Sequence, residues 1–175
     1  MTIKVLVAYA TKNGSTEEIA RTVARTLDKE GCAADLRAAA QAGDVRGYDA
    51  VVLGSALYAG RWLTDARRFA NRQRKALAAR PVWLFSSGPL DSGASERDIP
   101  PVRAARRIRQ RVDARGHVTF GGRLTSEAKG RMARMIVNSG KGGDFRDFDA
   151  ITAWARDIAA ELHRLHGVVR EDSGP

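Results

Sequence analysis

Apolar positions along the chain follow two periods in turn, which predicts strands alternating with helices. Short, nearly continuous apolar runs are typical of strands buried on both faces of a parallel sheet, whereas apolar residues three and four apart form one helical face. The runs predict strands near 3–7, 32–36, 49–54, 82–87 and 117–124. Helical spacing predicts a first helix ending near 27 and further helices near 64–79, with Thr64 as N-cap, 102–112 and 147–166. This alternation argues for one parallel sheet covered on both faces.

The turn after the first strand is rich in hydroxyl groups and opens directly into the first helix. Free backbone N–H groups and the partial positive charge of a helix N-terminus favour a bound anion. Its spacing matches neither GxGxxG nor GxxxxGK[ST]. The pattern Thr-x-Asn-Gly-x-Thr instead resembles the FMN phosphate loop of flavodoxin-like proteins. The predicted phosphate-binding residues are Thr11, Lys12, Asn13, Gly14, Ser15 and Thr16.

Two alternatives apply to this turn. It is also compatible with an ordinary strand-to-helix connection in which a serine or threonine caps the helix. Lys12 either neutralises phosphate or is a solvated loop residue.

The loop resemblance implies a flavodoxin-like, doubly wound α/β fold with five parallel strands in the order 2-1-3-4-5. Ligands of such folds bind beyond the carboxyl ends of the strands, at the switch point between strands one and three. The loops at 9–16, 55–62 and 86–91 should therefore converge on one site.

The second and third loops carry groups that suit a flat ring. Small residues after the third strand let the backbone approach a ring closely, and Tyr58 and Trp62 are available to cover it. For Tyr58 and Trp62 the alternative is that they are surface or rim aromatics that pack against the next helix, and for the third loop the alternative is a simple connection between strand and helix. The predicted ring-binding residues are Ser55, Ala56, Leu57, Tyr58, Ala59 and Gly60 in the second loop, and Ser86, Ser87, Gly88, Pro89 and Leu90 in the third.

No side chain has the setting of a dedicated acid, base or nucleophile, so the chemistry would be the cofactor's. His117, His163 and His166 fit structural or solvated roles. The single cysteine, Cys32, excludes an internal disulfide and fits a small core position. With only three histidines, no metal-ligand cluster is predicted.

The net charge of the chain indicates which class of partner it binds. The chain has 30 Lys and Arg against 20 Asp and Glu, a formal net charge of +10, which implies an anionic partner. Nucleic acid is disfavoured because the sequence lacks a helix-turn-helix, zinc-finger or RNP motif and interleaves few aromatics with its arginines. An anionic small-molecule substrate, an anionic cofactor tail or an anionic membrane surface is favoured instead.

Length predicts one domain over residues 1–166, with a flexible tail at 167–175. No apolar stretch approaches the roughly 20 residues of a membrane span, and a strand begins the chain where a signal peptide would lie. We therefore expect a cytoplasmic protein.

Over most of its length the chain resembles the flavodoxin-domain family that includes the quinone-dependent protoporphyrinogen IX dehydrogenases. The segments ATKNGSTEEIA and VVLGSALYAGRW carry the resemblance, with an insertion at about 125–146 that contains Gly-Gly shortly before the last helix. The resemblance implies bound FMN and electron transfer from a porphyrinogen to a quinone.

The insertion also carries a small basic and apolar patch. This patch predicts peripheral contact with the inner face of an anionic membrane, unless its apolar side chains pack back on the domain. Its residues are Arg131, Met132, Arg134, Met135, Ile136 and Val137.

Three other functions remain open. An 8-hydroxy-5-deazaflavin in place of FMN carries a polyglutamate tail that would suit arginines beside the phosphate loop. A non-enzymatic flavodoxin-type electron carrier would fit the loops, but such carriers are strongly acidic and +10 has the opposite sign. The third open function is that of an NAD(P)H-dependent quinone reductase. Arginines around the ring loops would favour an anionic substrate or tail, and arginines on the outer face of the insertion would favour a membrane.

Overall fold

The computed structural model describes residues 2–88, 103–124 and 143–171, together with Met135 and Asn138. Its strands, in chain order, are β1 (Lys4–Ala10), β2 (Ala33–Ala38), β3 (Ala50–Tyr58), β4 (Arg61–Trp62), β5 (Val82–Ser87), β6 (Gly116–Phe120), β7 (Arg123–Leu124) and β8 (Gly143–Asp144). Its described helices are α1 (Ser15–Lys29), α2 (Thr64–Arg72), α3 (Arg74–Ala78), α4 (Arg103–Val112) and α5 (Phe148–Glu171).

Five parallel strands form the central sheet in the order β2-β1-β3-β5-β6. This is the predicted order 2-1-3-4-5, because the two-residue β4 pairs antiparallel with β3 and shifts only the numbering. The predicted doubly wound, flavodoxin-like α/β fold is therefore confirmed. A separate antiparallel ribbon joins β7 to β8.

The strands divide their apolar side chains between the two faces of the sheet, as the two-residue period of a strand requires. Val5 and Val7 face a core that includes side chains of α1 and α5. Leu6 faces the other core, which includes Phe69 of α2 and Ile108 of α4. The molecule is thus three layers, with α1 and α5 on one side and α2, α3 and α4 on the other.

Several predicted boundaries were wrong in detail. The predicted helix at 64–79 is two helices, because Gln73 leaves the helical region with a ψ of 9°. Thr64 is the first residue of α2 and not its cap; Leu63 holds the N-cap position without a side-chain hydrogen bond. The strand predicted at 117–124 ends at Phe120. Gly121 follows, where a Cβ would lie 1.9 Å from the backbone oxygen of Phe145.

The last helix continues to Glu171, past the predicted end at 166. Gly167 is tolerated because glycine inside a helix costs only about 1 kcal/mol and the segment has no proline. Residues 167–171 are therefore helical, and the rest of the predicted tail lies outside the described residues.

Two smaller expectations concern burial and the membrane. Cys32 is a free, buried thiol, as expected for a small core residue. Within the part of the chain that the structure covers, no helix is both long and apolar enough to cross a membrane. Of the insertion patch, Met135 alone is described, and its side chain is 66% exposed rather than packed on the domain.

Candidate functional site: three loops at the carboxyl end of the sheet

The carboxyl ends of the three central strands lie level with one another. Ala10 pairs in register with Ser55, and Ser55 pairs with Ser86. The loops that follow β1, β3 and β5 therefore emerge side by side. Asn13 in the first loop donates a hydrogen bond from its amide to the hydroxyl of Tyr58, and the Lys12 ammonium lies 4.8 Å from the centre of the Tyr58 ring.

The first loop enters α1 through a left-handed glycine. Gly14 occupies the N-cap with φ 83° and no side-chain capping bond, so no serine or threonine caps this helix. Instead, the Thr11 hydroxyl accepts a hydrogen bond from the Gly14 backbone N–H at 3.0 Å. The first helical bond runs from the Glu18 N–H to the Gly14 carbonyl. The preceding N–H groups of residues 15–17 thus have no helical acceptor, as expected at a helix start.

Thr16 is the most informative residue of this loop. Its side chain is fully buried, and its hydroxyl is the only buried side-chain N or O atom among the described residues that lacks a hydrogen-bond partner. An unsatisfied buried hydroxyl costs about 1–3 kcal/mol. A negatively charged oxygen at this helix start would satisfy the hydroxyl and the free N–H groups together, so the chemistry of the loop fits a phosphate group.

A buried arginine holds the β7–β8 ribbon against the start of α1. Arg146, whose side chain is 4% exposed, pairs with Glu18 of α1 and with Asp144 of β8. The hydrogen bond from Arg146 is the main reason that the pKa of Asp144 lies below its ordinary value. Arg123 adds a backbone N–H bond to the Ser15 hydroxyl at 3.1 Å and an ion pair with Glu18 at 3.4 Å.

The sequence analysis did not predict the pairing of Arg146 with Glu18 and Asp144, which we call the clamp. Glu18 and Arg146 lie 128 positions apart, and neither has a local motif that predicts the other. The nearest sequence signal is the glycine pair at 121–122, which marks a close backbone approach.

The second loop is held by hydroxyl groups that point into the protein. Ser55 donates to the Ala56 carbonyl at 2.9 Å and accepts from the Leu63 N–H at 2.9 Å. The Trp62 indole N–H donates to the Ser86 hydroxyl at 2.7 Å, and the same hydroxyl lies 2.8 Å from Nε2 of His117. The hydroxyls of Ser55 and Ser86 thus fasten β4 to the sheet. Both residues are fully buried in strands that are paired on both sides, so neither side chain is free for a ligand.

Trp62 does not cover a ligand ring. Its side chain is 1% exposed and belongs to the core formed with α2, so the packing alternative holds for this residue. Tyr58 is half-buried at the rim of the loops, and its burial raises the pKa of the phenol. Tyr58 is therefore the aromatic side chain of the second loop that remains available to a planar ring.

The remaining predicted residues differ in accessibility. Ala56 and Ser87 are buried, Leu57 and Gly88 are half-buried, and Ala59 and Gly60 are exposed at the tip of the β3–β4 hairpin. Ala59 and Gly60 have φ values of 50° and 69°, the positive pair that a tight two-residue hairpin turn uses. A Cβ on Gly88 would lie 2.7 Å from Cβ of Leu57, so the second and third loops are in close contact. Pro89 and Leu90 lie outside the described residues.

The other two histidines lie on α5. Nε2 of His163 is 2.7 Å from the Glu30 carbonyl oxygen, and Nδ1 of His166 is 3.0 Å from the Leu162 carbonyl oxygen. The first contact joins α5 to the end of α1, the second lies within α5, and both agree with structural roles.

Comparisons with known proteins place this geometry in a family. The family model described as "Flavodoxin domain" matches residues 6–146, and the chain belongs to that family. No curated protein matches the sequence significantly.

Solved structures agree on the fold. A flavodoxin from the domain Archaea is 13% identical, with 92% of this chain and 99% of that chain covered and a TM-score of 0.60. Flavodoxin 2 from Bacillus cereus is 21% identical, with 90% and 99% covered and a TM-score of 0.61. The rubredoxin oxygen:oxidoreductase of Desulfovibrio gigas is 14% identical, with 92% of this chain but 36% of that chain covered and a TM-score of 0.61.

Proposed function

We propose that this flavodoxin-domain protein binds FMN at the three loops and is a flavin-dependent oxidoreductase. The observation that carries the proposal is the Thr16 hydroxyl, which is fully buried and unpartnered at the start of α1. An anionic oxygen bound at a helix N-terminus would accept a hydrogen bond from such an unsatisfied hydroxyl, which makes the free energy of binding more favourable. FMN supplies such a phosphate oxygen, and the family supplies a reason to expect this nucleotide.

Each loop has a separate task in this proposal. Thr11, Ser15 and Thr16 hold the phosphate through their hydroxyls, together with the free backbone N–H groups of residues 15–17. Gly14 supplies the left-handed turn that leads into the helix. Tyr58 covers one face of the ring, and the contact with Asn13 fixes its hydroxyl toward the phosphate loop. The backbone of the second and third loops lines the ring edge, where the packing of Gly88 against Leu57 brings both loops close. When bound, FMN supplies the electron-transfer chemistry.

We further propose that electrons pass between an anionic substrate and a quinone, as in the porphyrinogen dehydrogenases that the sequence resembles. Lys12 lies over the Tyr58 ring, and the exposed Arg61 is paired with Tyr58 across the β3–β4 turn. These cations suit the carboxylates of a propionate-bearing substrate. An acidic electron-carrier surface is not supported, because the net charge is +10.

The experiment that tests FMN binding starts with the absorption spectrum and mass of any small molecule that co-purifies. Apo-protein is then titrated with FMN and with an 8-hydroxy-5-deazaflavin. Thr16→Val removes the hydroxyl and keeps the shape of the side chain, and it should weaken FMN binding by roughly tenfold to a hundredfold. Thr26→Val, in the same helix, is the matched control, because the Thr26 hydroxyl donates to the Thr22 carbonyl and lies away from the loop.

The outcomes separate the alternatives. Tight FMN binding that Thr16→Val weakens and Thr26→Val spares supports the proposal. Preference for the deazaflavin would keep the assignment of the loop as a phosphate site but change the proposed chemistry to hydride transfer. Equal FMN affinity in Thr16→Val and Thr26→Val would contradict the assignment of the phosphate loop. Turnover of protoporphyrinogen with a quinone acceptor then tests the substrate, and its failure in an FMN-loaded protein would reject only that part.

The membrane contact is tested on its own. Replacing Arg131 and Arg134 by alanine should weaken binding to anionic lipid vesicles, because arginine is attracted to anionic headgroups. The exposed Met135 side chain supports an apolar contribution from the same patch. Equal vesicle binding by the variant would contradict the membrane role and leave the flavin site unaffected.

A further inference from the structure

A cavity of about 960 Å³ lies at the opposite end of the sheet from the three loops. Arg80 lines it and comes two residues before β5, while the carbonyls of Val45 and Tyr48, which accept hydrogen bonds from Arg80, precede β3. The cavity therefore lies at the amino ends of these parallel strands. The six residues of β5 separate it from the loop cluster by about 20 Å.

The cavity is strongly and unequally charged. Of the described lining residues, one carries a carboxylate, Asp44, and it is already paired with Arg46 at 2.6 Å. Among the described residues, the side chains of Arg74 and Lys75 make no hydrogen bond and no ion pair. Close cations without compensating carboxylates repel one another, and an anion would relieve that repulsion. The lining cations are Arg46, Arg72, Arg74, Lys75, Arg80 and Arg111.

Neutral acceptors hold three of the guanidinium groups in position. Arg80 donates to the carbonyls of Ala76, Val45 and Tyr48, each at 2.6 Å. Arg72 donates to the Ala42 carbonyl at 3.1 Å, and Arg111 donates to the Asn71 side-chain oxygen at 3.1 Å. Because these acceptors are uncharged, they fix the geometry and leave the positive charge available. Fixed, planar guanidinium groups are suited to phosphate and carboxylate oxygens.

We propose that this cavity binds a small polyanion that carries two or more phosphate or carboxylate groups. Its cations come from four segments, the turn before β3, the α2–α3 junction, the turn before β5 and the end of α4, and surround a concave space. A compact ligand with several negative groups reaches these segments at once. The described lining contains no aromatic side chain on which nucleic-acid bases would stack, which disfavours a single-stranded nucleic acid. The site is separate from the FMN loops and independent of them.

Isothermal titration with inorganic tripolyphosphate and with citrate tests the proposal, and the two probes distinguish phosphate from carboxylate ligands. The cavity variant is Arg74→Gln with Lys75→Gln, both exposed, so the fold should be unaffected. The matched control is Arg25→Gln with Arg164→Gln. It removes the same charge from exposed positions of α1 and α5 on the other side of the sheet.

We expect one polyanion per chain, at least about tenfold weaker binding in the cavity variant, and unchanged binding in the control. FMN affinity should be the same in all three proteins, which keeps this site distinguishable from the flavin site. Three results would overturn the proposal: no saturable binding of either probe, equal loss of affinity in both variants, or unaltered affinity in the cavity variant. Tighter binding of a single-stranded oligonucleotide than of tripolyphosphate, lost in the cavity variant, would replace the small polyanion by nucleic acid.

Discussion

The arginines at the two ends of the central sheet differ in whether their partners are charged or neutral. At the carboxyl end, the arginines beside the phosphate loop are neutralised, because Arg123 and Arg146 pair with Glu18 and Asp144. At the amino end, Arg72 and Arg80 are held by backbone carbonyls and keep their charge. A net charge of +10 therefore says little about where an anion binds; what matters is whether each cation has a carboxylate partner.

The difference also separates two ways of binding an anion. The phosphate loop uses a buried hydroxyl and helix N–H groups, which are neutral and directional. The opposite cavity uses a cluster of cations, whose attraction is stronger at distance and weaker in salt. Beside the phosphate loop, Arg123 and Arg146 are already paired with carboxylates, whereas a polyglutamate tail would need arginines that are free to bind it.

The phosphate loop at the carboxyl end of the sheet is tested by a substitution that should have opposite effects on FMN affinity and on stability. Thr16→Val should lose FMN affinity by roughly tenfold or more, yet raise the free energy of unfolding of the apo-protein by about 1 kcal/mol, because it removes an unsatisfied buried hydroxyl. Denaturant unfolding without FMN measures the second effect. A less stable apo-variant would show that the hydroxyl has a partner in the free protein.

Removing the clamp at the carboxyl end should cost about 2 kcal/mol. Arg146→Met leaves Glu18 and Asp144 without the buried guanidinium that pairs with them. Arg21→Met is the control, since its ion pair with Glu17 is exposed and should contribute less than about 1 kcal/mol. Urea unfolding at neutral pH compares the two variants, and equal losses would contradict a special role for the clamp.

The same clamp predicts a pH dependence. The pKa of Asp144 is lowered in the folded protein, so its contribution to stability is present above the ordinary carboxyl pKa of about 4 and is lost as the pH falls through the lowered pKa. The stability difference between wild type and Arg146→Met should therefore narrow below pH 4. A difference that stays constant to low pH would show that Asp144 is not stabilised by Arg146.

A smaller loss, of about 1–2 kcal/mol, is expected from Ser86→Ala. This change leaves the buried Trp62 indole N–H without its acceptor. In Trp62→Phe the donor is already absent, so Ser86→Ala should then cost less, and the double-mutant cycle measures the coupling between the two side chains. Additive losses would mean that the hydrogen bond does not hold β4 to the sheet.

The smallest expected effect is on stability, and it comes from removing two cations from the cavity at the amino end of the sheet. In low salt, Arg74→Gln with Lys75→Gln should raise stability by a few tenths of a kcal/mol, since it relieves repulsion among the cavity cations, and the gain should vanish in high salt. Arg25→Gln with Arg164→Gln should show no comparable gain. Thermal unfolding at two salt concentrations makes the comparison, and equal shifts would indicate a general charge effect.

Much of the fold followed from local patterns. Buried runs such as 82–87 predicted a strand with its bounds intact, because a central parallel strand is apolar along its whole length. Helix ends were less predictable, as Gln73 and Gly167 show, since tertiary packing decides whether a weak signal interrupts a helix. The hairpin that buries Trp62 was missed for a similar reason, because its indole N–H bonds to Ser86, 24 positions away.

The sequence by itself determined the alternation of strands and helices and the hydroxyl-rich turn after the first strand, because each depends on residues that are neighbours in the chain. The strand order was predicted only through the resemblance to flavodoxin-like proteins. Only the tertiary structure decided that the Thr16 hydroxyl has no partner, that Arg146 joins Glu18 across 128 positions, and that cations from four segments share one cavity. These features depend on distances between residues remote in sequence. Such distances exist only after the chain has folded.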